Sequence, residues 1–204
     1  MFCVDSGSKS LPNPIKRKLV IVGDGGVGKT CLLHCYAKDD FAGTHEHIPT
    51  IFDCYVKDMK CNNKHVALTL WDTAGQEVYD RLRTLSYPDS DVVLIAFSVD
   101  APESLENIIE LWMPEVSKYC RGLPFLLIGC KSDLRTDEKV LEQLAESNQK
   151  PVTYKEGFEM ASKIGALTYL ETSAKTGHGV EAVFLSAVQA TFPTFHRRHK
   201  CIIL

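Results

Sequence analysis

The chain of 204 residues predicts an α/β fold, a mostly parallel sheet with helices on both faces. Short apolar runs alternate with segments of helical period. The runs are apolar almost throughout, as strands buried on two sides are, rather than apolar at every second residue. The segments dense in Gly, Asp and Lys fall just past the ends of those runs, where ligands of such sheets bind.

In chain order, residues 1–15 carry Ser, Gly, Pro and Asn without periodicity and read as a flexible extension, with the ordered body starting near Lys16. Strands are expected at 18–22, 67–71, 92–98, 125–129 and 167–171, from their β-branched and apolar content. Residues 51–59 alternate only loosely and lead through Asn62-Asn63 into the next run, so they read as an antiparallel edge strand. Helices are expected at 29–38, 102–120, 153–164 and 180–190. Thr153 and Glu156 have the spacing of a capping box, which marks a helix start. Residues 135–150 are highly charged, with Leu141, Leu144 and Ala145 at helical spacing, and predict a short exposed helix.

Composition narrows the function. Hydrophobic residues make up 45% and charged residues 24%, typical of a globular chain. A net charge of -3 offers no general attraction for a polyanion, so a nucleic-acid polymer is not an expected partner. The eight cysteines, Cys3, Cys31, Cys35, Cys54, Cys61, Cys120, Cys130 and Cys201, show neither CxxC nor Cys/His metal spacing and read as reduced thiols. No apolar stretch reaches the roughly 18 residues of a membrane span.

Directly after the first strand comes Gly23-Asp24-Gly25-Gly26-Val27-Gly28-Lys29-Thr30, which matches G-x-x-x-x-G-K-[ST] and opens a helix. Polyphosphate is dense in negative charge and is best met by inward-pointing backbone N–H groups, which glycines permit because no Cβ blocks the anion. The helix N-terminus, the Lys29 ammonium and a Thr30 hydroxyl able to ligate Mg²⁺ complete the set. This loop specifies a nucleoside triphosphate but leaves ATPases, kinases and GTPases open.

Three later segments choose among them. In Trp71-Asp72-Thr73-Ala74-Gly75-Gln76, Asp72 can hold a magnesium shell through water, the Gly75 N–H can meet a γ-phosphate oxygen, and Gln76 can orient an attacking water. In Gly129-Cys130-Lys131-Ser132-Asp133, the Asp133 carboxylate can accept from guanine N1–H and N2–H₂, which adenine does not offer. A site built on such a pair rejects the wrong base by roughly 10⁴–10⁵. The Lys131 stem can cover a base face. The third segment, Glu171-Thr172-Ser173-Ala174-Lys175, can present backbone N–H groups to guanine O6.

Together with Pro49-Thr50, these motifs resemble those of the Ras-like small GTPases. Residues 50–58, 71–87 and the charged insertion resemble the Rho family in particular, over residues 16–192. The resemblance implies a G domain with a six-stranded sheet, five helices and a Rho-type insert helix, switching between GDP and GTP with Mg²⁺. It implies that Thr50 in switch I binds Mg²⁺ and γ-phosphate, that residues 76–87 form switch II, and that Phe41 packs edge-on against guanine. Cys31, Leu134, Ser173, Ala174 and Lys175 would complete the nucleotide site.

Two departures from the family pattern stand out. Cys130 replaces the usual Asn, whose amide ties the base loop to the phosphate loop. Phe41 to Thr50 spans nine steps rather than seven, with His47 where a Tyr is usual. Gly25, which leaves room for a partner's arginine, and Gln76 are both retained, which favours a hydrolytic switch over a permanently GTP-loaded scaffold.

Cys201-Ile202-Ile203-Leu204 reads as a prenylation box of the geranylgeranyl type. Upstream, Arg197, Arg198 and Lys200 add fixed positive charge, so residues 193–204 are expected to form a basic, lipidated tail held at the cytoplasmic face of a membrane. Kinship implies exchange factors, GTPase-activating proteins (GAPs), a prenyl-binding dissociation inhibitor (GDI) and effectors as partners.

Overall fold

The computed structural model describes residues 13–40 and 52–193. Phe41, His47, Pro49, Thr50, the basic tail and Cys201 lie outside the described residues. The elements run β1 (Ile15–Val22), α1 (Lys29–Lys38), β2 (Phe52–Cys61), β3 (Lys64–Thr73), α2 (Asp80–Thr84), β4 (Val92–Ser98) and α3 (Pro102–Asn107, continued through Ile108–Trp112 and Met113–Tyr119). There follow β5 (Phe125–Cys130), α4 (Glu138–Glu146), α5 (Tyr154–Ile164), β6 (Tyr169–Glu171) and α6 (Val180–Ala190).

One six-stranded sheet forms in the order β2-β3-β1-β4-β5-β6. Among the described strands only β2 is antiparallel, paired with β3 from Phe52–Thr73 to Cys61–Lys64 at the sheet edge. The Asn62-Asn63 turn makes this hairpin possible: both residues take positive φ, which Asn tolerates and tight hairpins require. The chain winds both ways from β1, which has parallel partners on each side in β3 and β4. The crevice at its carboxyl end is therefore the topological switch point, and the Gly23–Thr30 loop starts there.

Two apolar layers cover the sheet. Leu19, Ile21, Leu32, Leu33, Val183 and Phe184 pack on one face under α1 and α6, with Tyr36 stacked on Phe184 at 3.8 Å between ring centroids. Val20, Val22, Ile95, Trp112, Val116 and Ala161 form the other under α3 and α5. Every residue of β4 is buried, as its unbroken apolar run demands. Burial of a side chain such as Phe97 is worth about 1.5–3 kcal/mol.

Sequence expectation and structure differ at three places. β1 starts at Ile15, one residue inside the expected extension, where it pairs with Val66. The β6 ladder spans only Tyr169–Glu171, because this edge strand has a single neighbour and the preceding residues meet β5 through isolated bonds such as Leu167 N–H to Phe125 O (3.0 Å). The expected helix 102–120 contains a π turn at Ile108–Trp112, where the Met113 N–H reaches back to Ile108 O. Pro114 explains it: a ring that cannot donate and crowds the carbonyl four residues back loosens the preceding turn. The insert helix α4 forms as expected, capped by Asp137, and buries no residue. The Thr153–Glu156 capping box opens α5.

Candidate nucleotide site

At the end of β1 the backbone turns sharply. Gly23 has φ 143 and sits against β4, where a Cβ would lie 2.1 Å from Ala96 O, so no other residue fits. Gly28 (φ 104) caps α1 in the left-handed conformation, leaving the first N–H groups of that helix facing the loop. Val27 gives only backbone to this loop; its side chain belongs to the core. Lys29 is 6% exposed, and its ammonium donates to Gly23 O (2.6 Å) and Asp24 O (2.7 Å), spanning the cradle. Burial pulls its pKa down to about 8, partly opposed by Asp72.

Asp72 ends β3 fully buried beside this lysine. Neither of its oxygens receives a conventional hydrogen bond, and burial pushes its pKa up to about 6, with the Thr30 hydroxyl and Lys29 pulling the other way. A sealed carboxylate short of donors, next to a threonine hydroxyl, is a donor set that suits Mg²⁺, a hard cation that takes oxygen ligands. The neighbouring Thr73 hydroxyl locks the strand end, donating to Ile21 O at 2.6 Å.

Gly75 closes over the phosphate loop. A Cβ there would lie 2.4 Å from Asp24 C and Gly25 N, so the turn after Asp72 and the loop after β1 are in backbone contact. Gln76 follows, exposed, and its Cγ lies 3.5 Å from where a Gly25 Cβ would stand. Alanine would fit at Gly25; a longer side chain would push Gln76 aside.

A cavity of 170 Å³ opens beside α1, lined by Gly28, Cys31, Leu32, Cys130, Lys131, Asp133, Leu134, Thr172, Ala174 and Lys175. It unites two of the sequence segments with the phosphate loop, and its walls are apolar enough for a flat ring with Asp133 as the edge acceptor. The Lys131 stem crosses 3.8–3.9 Å from the Gly28 Cβ position, and its ammonium reaches Asp100 at 3.3 Å. Cys130 is buried, with burial raising its pKa to about 11, so it meets the cavity as a neutral thiol beside the Thr172 hydroxyl. Ser173 does not line the cavity: its N–H donates to His178 O (3.0 Å) and its hydroxyl accepts from the Thr176 N–H (3.1 Å). Its part is to shape the turn that presents Ala174 and Lys175.

Several contributors carried no signal in the sequence. The Asp24 carboxylate accepts from Asn107 Nδ2 (2.6 Å) and Trp112 Nε1 (2.6 Å), which anchors the phosphate loop to α3. Asn107 precedes the π turn and Trp112 ends it, and both side chains reach Asp24. Arg135 grips Glu171 through two bonds of 2.6 and 2.7 Å, holding together the two loops that flank the base cavity.

A glycine-rich cradle at a switch point, a buried cation-seeking carboxylate and an apolar cavity with Asp133 in its wall define a P-loop guanine-nucleotide-binding protein. Comparison with known proteins agrees. A Ras family model matches residues 18–192. The chain is 52% identical to GTP-binding protein rho5 of Schizosaccharomyces pombe, over 93% of this chain and 98% of that one. It is 50% identical to GTP-binding protein RHO1 of Saccharomyces cerevisiae, over 97% and 100%. The chain belongs to the Ras-like small GTPases, in their Rho family. It is therefore a switch that binds GTP and GDP with Mg²⁺ and hydrolyses GTP, and its family generally works with exchange factors, GAPs, GDI and effectors.

Proposed function

We propose the following division of labour for this switch. The backbone from Gly23 to Gly28, with Gly26 and Val27 between, wraps the phosphates, and Lys29 supplies the point charge at the β- and γ-phosphates. Thr30, Asp72 through water, and Thr50 would hold Mg²⁺, which would supply charge neutralisation at the phosphate oxygens. Asp133 reads guanine, Lys131 and Phe41 cover its faces, and Cys31, Cys130, Leu134, Ala174 and Lys175 enclose it, with Ser173 behind.

Gln76 accepts a hydrogen bond from the attacking water. That water adds to the γ-phosphorus as the bond to the bridging oxygen breaks, giving GDP and phosphate. Arg83 is engaged by Ala74 O, Asp80 and Glu115, so it is not a free arginine finger. Intrinsic turnover should accordingly be slow, with a GAP supplying about 10³–10⁵-fold.

The observation that carries this reading is Asp72, fully buried at the end of β3 beside the Lys29 ammonium and the Thr30 hydroxyl. The test is competition: with Mg²⁺, GTP and GDP should displace a fluorescent GDP while ATP at a hundredfold excess does not. Gln76→Leu should keep GTP binding and lose GAP-stimulated turnover. Displacement by ATP, or unchanged turnover in the variant, would refute the roles given to Asp133 and Gln76.

The outward face fits a protein that partners read. Phe52 and Val56 on β2, and Val78, Leu82 and Leu85 in residues 77–85, are all exposed, and Phe52 pairs with Thr73 where β3 enters the nucleotide-sensing turn. Among the described residues no helix is long and apolar enough to cross a membrane. A geranylgeranyl group on Cys201 with the adjacent basic residues would make two attachment signals, enough for stable yet reversible binding at a cytoplasmic membrane face. Control of actin, polarity or morphogenesis is the pathway this family assignment favours.

A further inference from the structure

A carboxylate at the second position of a phosphate-binding loop needs a reason, because it brings negative charge beside a polyanion. Asp24 is turned away from the cradle: Asn107 Nδ2 and Trp112 Nε1 each donate to it at 2.6 Å. The Trp112 ring, 3% exposed, carries the Arg83 guanidinium 4.7 Å from its centroid. Arg83 is buried and engaged at all three nitrogens, with Nε and Nη2 gripping Glu115 at 2.7 and 2.8 Å, Nη2 reaching Asp80 at 2.7 Å and Nη1 reaching Ala74 O at 3.0 Å. Ala74 precedes Gly75, which lies directly on the Asp24–Gly25 peptide. The contacts close a ring running Asp24, Trp112, Arg83, Ala74, Gly75 and back to Asp24. The ring borders a 290 Å³ cavity with Gln76 on its wall.

We propose that Trp112 and Arg83 are positioning residues for GTP hydrolysis: they link α3 to both the phosphate loop and the Ala74–Gln76 turn and hold the two at the separation that Gln76 needs. This deepens the proposed function and rests on the water-orienting reading of Gln76. Neither side chain lines the base cavity. Each acts through a carbonyl or carboxylate that fixes backbone, and hydrolysis is sensitive to such placement because an error of about 1 Å at the reacting groups can cost ~10²-fold. GDP affinity depends instead on the cradle and the base cavity, and the ring meets the cradle along the backbone from Gly23 to Gly25.

The experiment uses the full chain loaded with GTP and Mg²⁺, measuring single-turnover phosphate release, fluorescent GDP dissociation and thermal melting. Trp112→Phe keeps an aromatic ring and removes the N–H that holds Asp24. It should slow phosphate release about five- to tenfold, a fraction of the ~10²-fold an ångström of displacement can cost, with GDP dissociation changed less than about twofold. Arg83→Lys keeps the charge and loses the fork, and should slow release similarly. The double variant should be no slower than the slower single, since linked residues do not add.

In a Gln76→Leu background Trp112→Phe should have no further effect, whereas wild-type turnover in Gln76→Leu alone would instead sink the reading of Gln76. Should Arg83→Lys fail to fold, Trp112→Phe decides alone. Wild-type phosphate release in Trp112→Phe, or slowing matched by faster GDP dissociation and a lower melting temperature, would overturn the proposal, as would additive effects in the double variant.

Discussion

Glu171→Gln should loosen the guanine cavity more than it loosens the fold. Arg135, two residues after Asp133, makes bonds of 2.6 and 2.7 Å to the Glu171 carboxylate, and Glu171 immediately precedes Thr172 in the cavity wall. Arg135 Nε also donates to Val152 O at 2.9 Å and the Tyr169 hydroxyl to Glu171 at 2.6 Å, so the pair is fixed on both sides. Hydrogen bonds to charged groups contribute about 1.5–3 kcal/mol. Glutamine keeps one acceptor, and the side chains are 28% and 12% exposed, so solvent screening lowers the loss to about 1–2 kcal/mol. Felt wholly at the cavity, that is a roughly five- to thirtyfold faster release of GDP; felt in the fold, it is a fall of about 2–8 °C in Tm. Fluorescent GDP dissociation and thermal melting on the same sample read both. A lowered Tm with unchanged GDP release would show that the ion pair serves the fold alone, refuting the clamp.

Three further outcomes are expected. Cys130→Asn introduces an amide between the base loop and Gly28, whose Cβ position is 3.6 Å from Cys130 Cβ, and should slow GDP release about two- to tenfold for one added bond; equal or faster release would contradict this. Burial of Glu115 opposes its charge, but the Arg83 and Tyr87 hydrogen bonds outweigh it and hold its carboxyl below the usual range. The stability it contributes is therefore full above about pH 4.5 and is lost as pH falls through the lowered folded value, so the stability gap between wild type and Glu115→Gln should shrink in acid; a gap that stays constant from pH 7 to 3 would show no linkage. Cys201→Ser should leave the protein in the soluble fraction of a cell lysate, and its continued pelleting with membranes would demand a different anchor.

The strands, the phosphate loop and the base-reading aspartate were legible along the chain because each depends on local pattern. β4 is apolar at every position because both its faces are covered, and Gly23–Thr30 must carry glycines wherever a backbone cradles phosphate. Asn62-Asn63 announced its hairpin because the turn needs two residues that tolerate positive φ. The π turn in α3 was less accessible: Pro114 signals disturbance of the helix but not which way the helix yields. Ser173 fits the motif, yet its N–H and hydroxyl are used within its own turn, which only the folded geometry reveals.

Sequence alone thus determined the class of ligand, since guanine and triphosphate are selected by residue types at short spacing: Asp133 beside Lys131, Lys29 and Thr30 after the glycines. Tertiary structure decided how those short motifs are held to one another. Asp24 meets Trp112 across 88 residues and Arg135 meets Glu171 across 36. Such contacts exist only once the sheet has set its strand order, because a hydrogen bond constrains direction and distance in space and leaves no period in the chain.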